Sequence, residues 1–335
     1  MNLIRVYSPG ILEELLNNSI QFRKALYEKS DIDENIIVDI LSTTNNEERQ
    51  IIRNNYKKIF KCPIQNDINS KITKNNLLHD IALNMFDTPY EYDARELKKA
   101  LSEKNELNED ILVEIFSTRT KQYLEMVDLA YKNFYEISLK EEIQNTLSKE
   151  YANFLFTLMD NERPLEQTIS KNRAYEIVEE ISKNGIKLYS KDVNMFKKIF
   201  VEKSRKDLIL ISRAYYEIKK KCLYDDILEN IPENQSNNIK EEDKVRNKII
   251  RLIKDLIFAV ITPAQFLAQK CSIALMKFDI NSLLRILISR ADIDIKSIRD
   301  YYFKEVKRDI KKDIKNEQNL KNNINIGKIL INICK

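Results

Sequence analysis

Only three glycines, one histidine and no tryptophan occur among the 335 residues of this chain. Gly10, Gly185 and Gly327 lie too far apart for a phosphate-binding loop or a dinucleotide fingerprint, because both motifs need several glycines in one turn. His79 is the only histidine and no two cysteines have CxxC spacing, so neither a zinc site nor a Cys–His nucleophile pair is indicated. We therefore expect a protein that is not an enzyme and that has no cofactor.

Other low counts limit the fold and the compartment. Six prolines and few glycines leave little material for hairpins, and charged residues (32%) in long stretches of 3.6-residue period favour an all-α fold. The longest clear apolar run, 256–261, is far shorter than the ~20 residues that cross a bilayer. Four scattered cysteines favour a reduced, cytoplasmic location. The net charge of +4 is small and forms no basic stripe with aromatics, which predicts no nucleic-acid partner.

What the chain does contain is an internal repeat. A tyrosine follows a branched aliphatic residue by four positions at four places, and the successive tyrosines are 75, 84 and 87 residues apart. A spacing of four puts both side chains on one face of a helix, so the same helix with a buried stripe is predicted four times. Arg49 and Lys219 interrupt that stripe in repeats 1 and 3. The repeated pairs are Ile52–Tyr56, Val127–Tyr131, Ile211–Tyr215 and Ile298–Tyr302.

The repeats resemble those of the annexins, a family with four repeats of five helices. The resemblance covers about residues 15 to 335 and is most specific in YDARELKKAL (92–101), EIFSTRT (114–120) and LLRILISRADIDIKSIRDYYF (283–303). It implies an all-α, annexin-like disc of four repeats, each of about five helices. A solenoid of two-helix repeats with a period near 40 is the alternative, but it does not explain a register that returns only after 75 to 87 residues.

The resemblance also implies a division of the chain. A polar insertion at 229–247 has the composition of an exposed loop. The expected segments are an N-terminal segment at 1–14, repeat 1 at 15–88, repeat 2 at 89–163, repeat 3 at 164–261 with this insertion, and repeat 4 at 262–335.

Two ion pairs are expected from the family's polar central channel. Asp93 and Arg119 match one pair, and Glu114 and Arg285 match another that links repeats 2 and 4. We expect such desolvated pairs to fix the packing register and not to form an ion pathway. The residue that ends the second helix of a repeat is usually arginine in the family; here it is Thr44, Arg119, Lys203 and Arg290.

The calcium loops depart most from the family. In annexins, glycines between the first two helices turn main-chain oxygens towards calcium, and a carboxylate about forty residues later completes the set of ligands. Repeats 1, 2 and 4 have no glycine in this loop, and repeat 3 has only Gly185. Aligned backward from the fifth helix, the distal position falls at or near Ile72, Thr146, Lys248 and Lys321, and none of these is acidic. We therefore expect the standard calcium sites to be lost, although an improvised site remains open at Glu28, Asp31 and Asp33 or at Glu103 and Glu106.

A membrane surface is the partner that best fits the remaining features. Lysines near an anionic bilayer and an inserted aromatic ring both favour binding. We therefore expect a cytoplasmic, peripherally associated protein that binds anionic phospholipid with weak or no calcium dependence, through repeats 3 and 4. The alternative is a scaffold with protein or cytoskeletal partners and no lipid binding. The lipid-facing candidates are Lys187, Lys191, Lys248, Met276, Lys277, Phe278 and Lys321.

Overall fold

The computed structural model describes residues 7–73, 76–102, 107–185, 189–229, 241–317, 320 and 323–334. Every regular element in these ranges is a helix, and the helices fall into four groups of five, as the repeat predicts. The chain divides into two compact units. Unit 1 combines residues up to Tyr92 with those from Leu267 onward, and unit 2 runs from Asp93 to Phe266.

Repeats 1 and 4 supply most of unit 1. The helices of repeat 1 are α1 (Pro9–Tyr27), α2 (Glu34–Thr43), α3 (Asn46–Phe60), α4 (Ile64–Lys71) and α5 (Leu77–Phe86). Those of repeat 4 are α16 (Pro263–Met276), α17 (Ile280–Arg290), α18 (Ile295–Val306), α19 (Ile310–Asn316) and α20 (Ile324–Ile333). Helix α2 packs on α20, and α5 packs on α17. In the core, the Phe22 ring meets the Phe86 ring edge to face at 5.1 Å.

Repeats 2 and 3 supply most of unit 2. The helices of repeat 2 are α6 (Pro89–Leu101), α7 (Glu109–Thr118), α8 (Lys121–Tyr135), α9 (Leu139–Thr146) and α10 (Lys149–Asp160). Those of repeat 3 are α11 (Lys171–Asn184), α12 (Val193–Phe196, continued by a π-helical turn at Lys197–Val201), α13 (Arg205–Lys219), α14 (Leu223–Glu229) and α15 (Glu241–Ile261). Helix α7 packs on α15, and α11 packs on α13.

Two boundaries differ from the expectation. Helix α1 begins at Pro9, after the N-cap Ser8, so it starts inside the expected N-terminal segment. Residues 241–247 of the insertion are the first turns of α15, so the expectation of a loop is wrong there. Their charged side chains suit a solvated helical face as well as a loop, and composition alone does not separate the two. Residues 230–240 lie outside the described ranges.

The predicted buried stripe is present on the third helix of every repeat. All four repeat tyrosines are buried, at 0% (Tyr56), 0% (Tyr131), 5% (Tyr215) and 2% (Tyr302) exposure. Each of these helices ends five residues after its tyrosine at a residue with left-handed backbone dihedrals, and none of the four is glycine. These helix-ending residues are Lys61, Glu136, Lys220 and Lys307.

Each repeat tyrosine also faces an acid eleven residues later. Tyr302 donates to Asp313 at 2.7 Å, Tyr56 donates to Asp67 at 2.5 Å, and Tyr215 donates to Asp226. These bonds tie the third helix of a repeat to its fourth helix. In repeat 2 the equivalent acid, Glu142, is instead bound by Lys98 at 2.9 Å, and the buried Tyr131 hydroxyl has no hydrogen-bond partner in the described part of the chain.

An arginine side chain lies at the end of the second helix in all four repeats, but its partners differ. In repeats 2 and 4 it stands at that helix end, where Arg119 pairs with Asp93 and Arg290 with Asp294. In repeats 1 and 3, where the sequence has Thr44 and Lys203, an arginine from elsewhere in the chain donates to main-chain oxygens at that helix end. Arg49 donates to Thr44 O, and to Met85 O at 2.8 Å; Arg163 donates to Lys203 O at 2.6 Å.

Candidate functional site

The loops between the first two helices of each repeat are the surfaces that the sequence singles out. In repeat 1 the loop acid Asp33 caps α2, since its Oδ1 accepts from Ile36 N at 3.4 Å. Its Oδ2 lies 2.9 Å from Lys29 Nζ. The Lys29 hydrogen bond and the helix N-terminus together lower the pKa of Asp33. This carboxylate is therefore already held by a helix end and a lysine.

The corresponding loops of repeats 2 and 3 are described only in part. Asn108 caps α7 by accepting from Ile111 N at 3.3 Å, while residues 103–106 lie outside the described ranges. In repeat 3, Gly185 ends α11 at a φ of 71°, and Asp192 caps α12 through Asn194 N at 2.8 Å. Lys191 is exposed in the turn before that cap. Lys187 lies outside the described residues.

The segment from Met276, the last residue of α16, to Asp279 is fully described and differs in character; we call it the repeat 4 loop. Met276 is 69% exposed and Phe278 is 58% exposed, and Lys277 between them is also exposed. Phe278 has a φ of 56°, a left-handed conformation that is uncommon for an aromatic residue. Asp279 caps α17 by accepting from Ser282 N at 3.0 Å. The loop therefore presents a cation between two large apolar side chains.

A pocket of about 290 Å³ lies directly behind the repeat 4 loop. Met276 and Phe278 line it together with the acids Asp313 and Glu317. Glu317 is 5% exposed; its Oε2 accepts from Leu320 N at 2.7 Å, and its Oε1 accepts no hydrogen bond within the described ranges. Asp313 is bound by Tyr302 and by Arg308 at 2.9 Å. No cluster of three or more metal-ligating side chains occurs among the described residues.

The predicted distal position of repeat 4 is not described, but an acid lies four residues before it. Backward alignment placed it at or near Lys321, which lies outside the described residues, but the first residue after α19 is an acid, Glu317. In repeats 1 and 2 the fourth helices end at Lys71 and Thr146 and are followed by Ile72 and Leu147, which carry no carboxylate.

Lys248 is not in a loop. It lies within α15 and binds Glu109 of α7, with 2.6 Å between Nζ and Oε1. This ion pair joins two packed helices of unit 2, so the ammonium group of Lys248 already has an anionic partner. Of the seven lipid-facing candidates, Lys191, Met276, Lys277 and Phe278 are exposed in described loops.

Asp93 and Arg119 form a buried ion pair inside unit 2. Arg119 Nε lies 2.7 Å from Oδ2 of Asp93, Nη2 lies 3.2 Å from Oδ1, and the two side chains are 3% and 0% exposed. Burial alone would lower the pKa of Arg119, but the charge and hydrogen bonds of Asp93 outweigh burial and raise it. The pair is fully desolvated and bidentate. Glu114 and Arg285 are both buried, and their pairing stays a prediction.

Four repeats of five helices, each with a loop of this kind after its first helix, define an all-helical protein of the annexin fold. A sequence model of the family described as Annexin matches residues 21–77 and 92–158. Mouse annexin A13 is 28% identical over 269 residues, which are 80% of either chain. The structure of annexin III is similar with a TM-score of 0.81, 24% identity and coverage of 96% of this chain and 93% of that one. A calcium-bound annexin (Sm)1 has a TM-score of 0.72 at 19% identity, with coverage of 98% and 91%.

The chain is similar in sequence to annexins over about four fifths of its length, and it has the annexin fold. Annexins are generally peripheral membrane proteins that bind phospholipid with calcium, and they are generally not enzymes. Within the described ranges, no helix combines the length and apolar character needed to cross a bilayer.

Proposed function

We propose that this protein binds anionic phospholipid membranes with little or no dependence on calcium, and that the repeat 4 loop is its principal contact. The observation that carries the proposal is Phe278, an exposed aromatic ring held at positive φ beside Met276 and Lys277. A left-handed conformation costs a non-glycine residue about 1–2 kcal/mol. In water more than half of the side chain stays exposed, whereas a bilayer interface would bury the exposed part.

The energies favour such a contact. Full burial of a phenylalanine or methionine side chain contributes roughly 1.5–3 kcal/mol, and an exposed side chain still has much of that to gain. A lysine near an anionic surface adds about 1 kcal/mol. Met276, Lys277 and Phe278 are adjacent, so one shallow insertion would obtain all three contributions. Lys191 is a further candidate for lipid contact in repeat 3. Lys187 and Lys321 stay lipid-contact candidates from the sequence alone. Lys248 is the weakest candidate because it is already paired with Glu109.

Weak calcium dependence is supported by what the loop acids already do. Asp33, Asp192 and Asp279 each accept a main-chain hydrogen bond as a helix cap, so calcium would have to compete with the helix end for them. Calcium also requires six to eight oxygen ligands. Repeat 4 keeps one distal acid, Glu317, and it is the one described place where a residual calcium response would arise.

Cosedimentation with phosphatidylserine vesicles tests the proposal, with phosphatidylcholine vesicles as the lipid control. We expect the protein to pellet with phosphatidylserine in the presence of either calcium or a chelator. Pelleting with calcium alone would refute calcium independence. If no pelleting occurs under either condition, the scaffold alternative replaces the proposal.

Matched variants locate the surface. Phe278→Ala and Lys277→Glu should each weaken phosphatidylserine binding about tenfold, from the energies of an inserted ring and of a surface charge. Phe303→Ala and Lys304→Glu are the matched controls on α18, where Phe303 is 57% exposed and Lys304 is also exposed, and they should leave binding unchanged. Equal losses in the two sets would show that the repeat 4 loop is the wrong surface. Glu317→Gln should remove any remaining increase in binding on adding calcium.

A further inference from the structure

Unit 2 contains a second and larger pocket, unrelated to the membrane loops. Its volume is about 420 Å³, within the usual range for small-molecule sites. It lies where α13, the start of α14, the end of α15 and the start of α16 meet. We call it the aromatic pocket, after Tyr216, Tyr224 and Phe258, which line it.

One face of α13 supplies a wall of the aromatic pocket. Its lining residues are spaced three, one and three positions apart, which places them on one side of the helix. They are Ile209, Ser212, Arg213 and Tyr216. The opposite stripe of α13, with Leu208 and the repeat tyrosine Tyr215, is buried in the core. A third helix of a repeat needs only one buried stripe to pack, so the fold does not require Ile209 and Tyr216 on its second face.

Two stacked rings supply the facing wall. The rings of Tyr224 and Phe258 are parallel within 4°, with centroids 5.0 Å apart, and Phe258 is held in turn by an edge-to-face contact with Phe266 at 5.6 Å. Tyr216 is 55% exposed across the pocket. Such rigid ring surfaces favour a planar apolar partner, because aromatic side chains lose little conformational freedom on binding.

The polar groups of the pocket indicate an anion. The exposed guanidinium of Arg213 makes no ion pair within the described part of the chain. The acid one turn later, Glu217, already accepts the Tyr175 hydroxyl. The Ser212 hydroxyl is buried and has no hydrogen-bond partner there either. The pocket therefore combines apolar rings with a guanidinium that makes no ion pair in the described ranges, a carboxylate already hydrogen-bonded to a tyrosine, and one unsatisfied hydroxyl.

We propose that the aromatic pocket binds a small amphipathic anion with a planar apolar body, of the aryl carboxylate class. The ring of the ligand packs against Tyr224 and Phe258, and its carboxylate pairs with Arg213, where a charge-assisted bidentate contact is available. This binding is independent of lipid binding by the repeat 4 loop.

The thiol of Cys222 provides a direct readout, because it lines the pocket and is half-buried. Alkylation of the full chain by iodoacetamide, followed by mass spectrometry at each cysteine, measures its accessibility. Cys62 is half-buried in unit 1 and serves as the internal control, while Cys271 and Cys334 are buried. Saturating 2-naphthoate should slow alkylation of Cys222 severalfold and leave the rate at Cys62 unchanged. Equal effects at the two thiols, or none, would overturn the proposal.

The role of the charge is tested with a neutral analogue. 2-Naphthalenemethanol should protect Cys222 only at concentrations about tenfold higher than 2-naphthoate, from the typical strength of a charge-assisted hydrogen bond. Arg213→Gln should abolish that preference. Arg251→Gln, at an exposed position of α15 outside the pocket, changes net charge equally and should preserve it. If Arg213→Gln keeps the tenfold preference, Arg213 is not the anion-binding group and the assignment fails.

Discussion

The guanidinium of Arg163 donates to the main-chain oxygen of Lys203, with 2.6 Å between Nη1 and O. Its other terminal nitrogen donates to Phe200 O at 2.7 Å. These oxygens lie at the C-terminal end of α12, where main-chain carbonyls lack intrahelical partners and carry partial negative charge. Lys203 stands where repeats 2 and 4 have an arginine that pairs with an acid, and here a guanidinium from forty residues earlier in the chain binds the helix-end carbonyls instead.

Arg163→Ala should lower the free energy of unfolding by about 2–4 kcal/mol, because buried carbonyls lose their charged donor. Burial lowers the pKa of Arg163 to about 10, so the side chain is still charged at neutral pH. Lys203→Ala keeps the main-chain oxygen and should cost less than about 0.5 kcal/mol, as is usual for surface positions. Urea unfolding of both variants checks this. A large loss for Lys203→Ala would mean that its side chain, and not its carbonyl, is what matters.

Asp207 should make stability depend on acid pH. Its buried carboxylate accepts from Thr168 N at 2.8 Å, Ile169 N at 3.1 Å and Ser204 N at 2.9 Å. Burial alone would raise the pKa of Asp207, but these hydrogen bonds, with that of the Thr168 hydroxyl, outweigh burial and lower it. A lowered pKa stabilises the fold above the unfolded-state value, about 3.9, and this contribution is lost as the pH falls from there towards the folded-state pKa.

Asp207→Asn should therefore cost about 2–3 kcal/mol at pH 7, because its amide group would oppose N–H donors. The same variant should lose less stability than the parent protein when the pH is lowered from 7 to 3. Asp300→Asn, at an exposed position of α18, is the control and should follow the parent curve. Parallel pH curves for Asp207→Asn and the parent would contradict the assigned role.

The repeat tyrosines provide a matched pair of hydroxyl deletions. Tyr302→Phe removes a 2.7 Å hydrogen bond to the carboxylate of Asp313 and should cost roughly 1.5 kcal/mol. Tyr131→Phe removes a buried hydroxyl that has no partner in the described part of the chain and should be neutral or slightly stabilising. The measurement is the thermal unfolding midpoint of each variant, compared with that of the parent protein in the same buffer. Equal losses would indicate that Tyr131 has a partner, such as an ordered water.

Glycine should improve the end of α13. Lys220 ends that helix at a φ of 56°, which glycine adopts without the steric cost that a Cβ brings. Lys220→Gly is expected to stabilise the protein by about 0.5–1 kcal/mol. The same change one position earlier, Lys219→Gly, falls inside the helix and should destabilise by a similar amount. A loss of stability for both would show that the side chain of Lys220 contributes more than its backbone costs.

Much of the fold could be predicted because helical periodicity is local. Ile298 and Tyr302 share a helix face whatever surrounds them, and four such pairs at long intervals gave the number of repeats. Interactions between distant positions were harder to predict. In the sequence, Arg49 only interrupts the buried stripe. In the structure its guanidinium donates to Thr44 O. A sequence pattern does not show which carbonyl lacks a hydrogen-bond partner.

The candidate site shows the same division. The sequence showed two large apolar side chains on either side of a lysine, Met276, Lys277 and Phe278. It did not show that these side chains are exposed or that Phe278 has a positive φ. Glu317 was not singled out from the sequence, because alignment from the fifth helix depends on the length of the loop before that helix. An acid eleven residues after each repeat tyrosine is visible in the sequence, and this spacing would have indicated the bonds between third and fourth helices.

The order of amino acids by itself determined the helices, their buried stripes and their fourfold recurrence, because these depend on spacings of three and four residues within one segment. Tertiary structure alone decided which guanidinium satisfies which helix end, which loop acid is held as a cap, and where the rings of Tyr224 and Phe258 enclose a pocket. Those outcomes depend on hydrogen bonds and contacts between segments tens of residues apart, whose geometry exists only once the helices have packed.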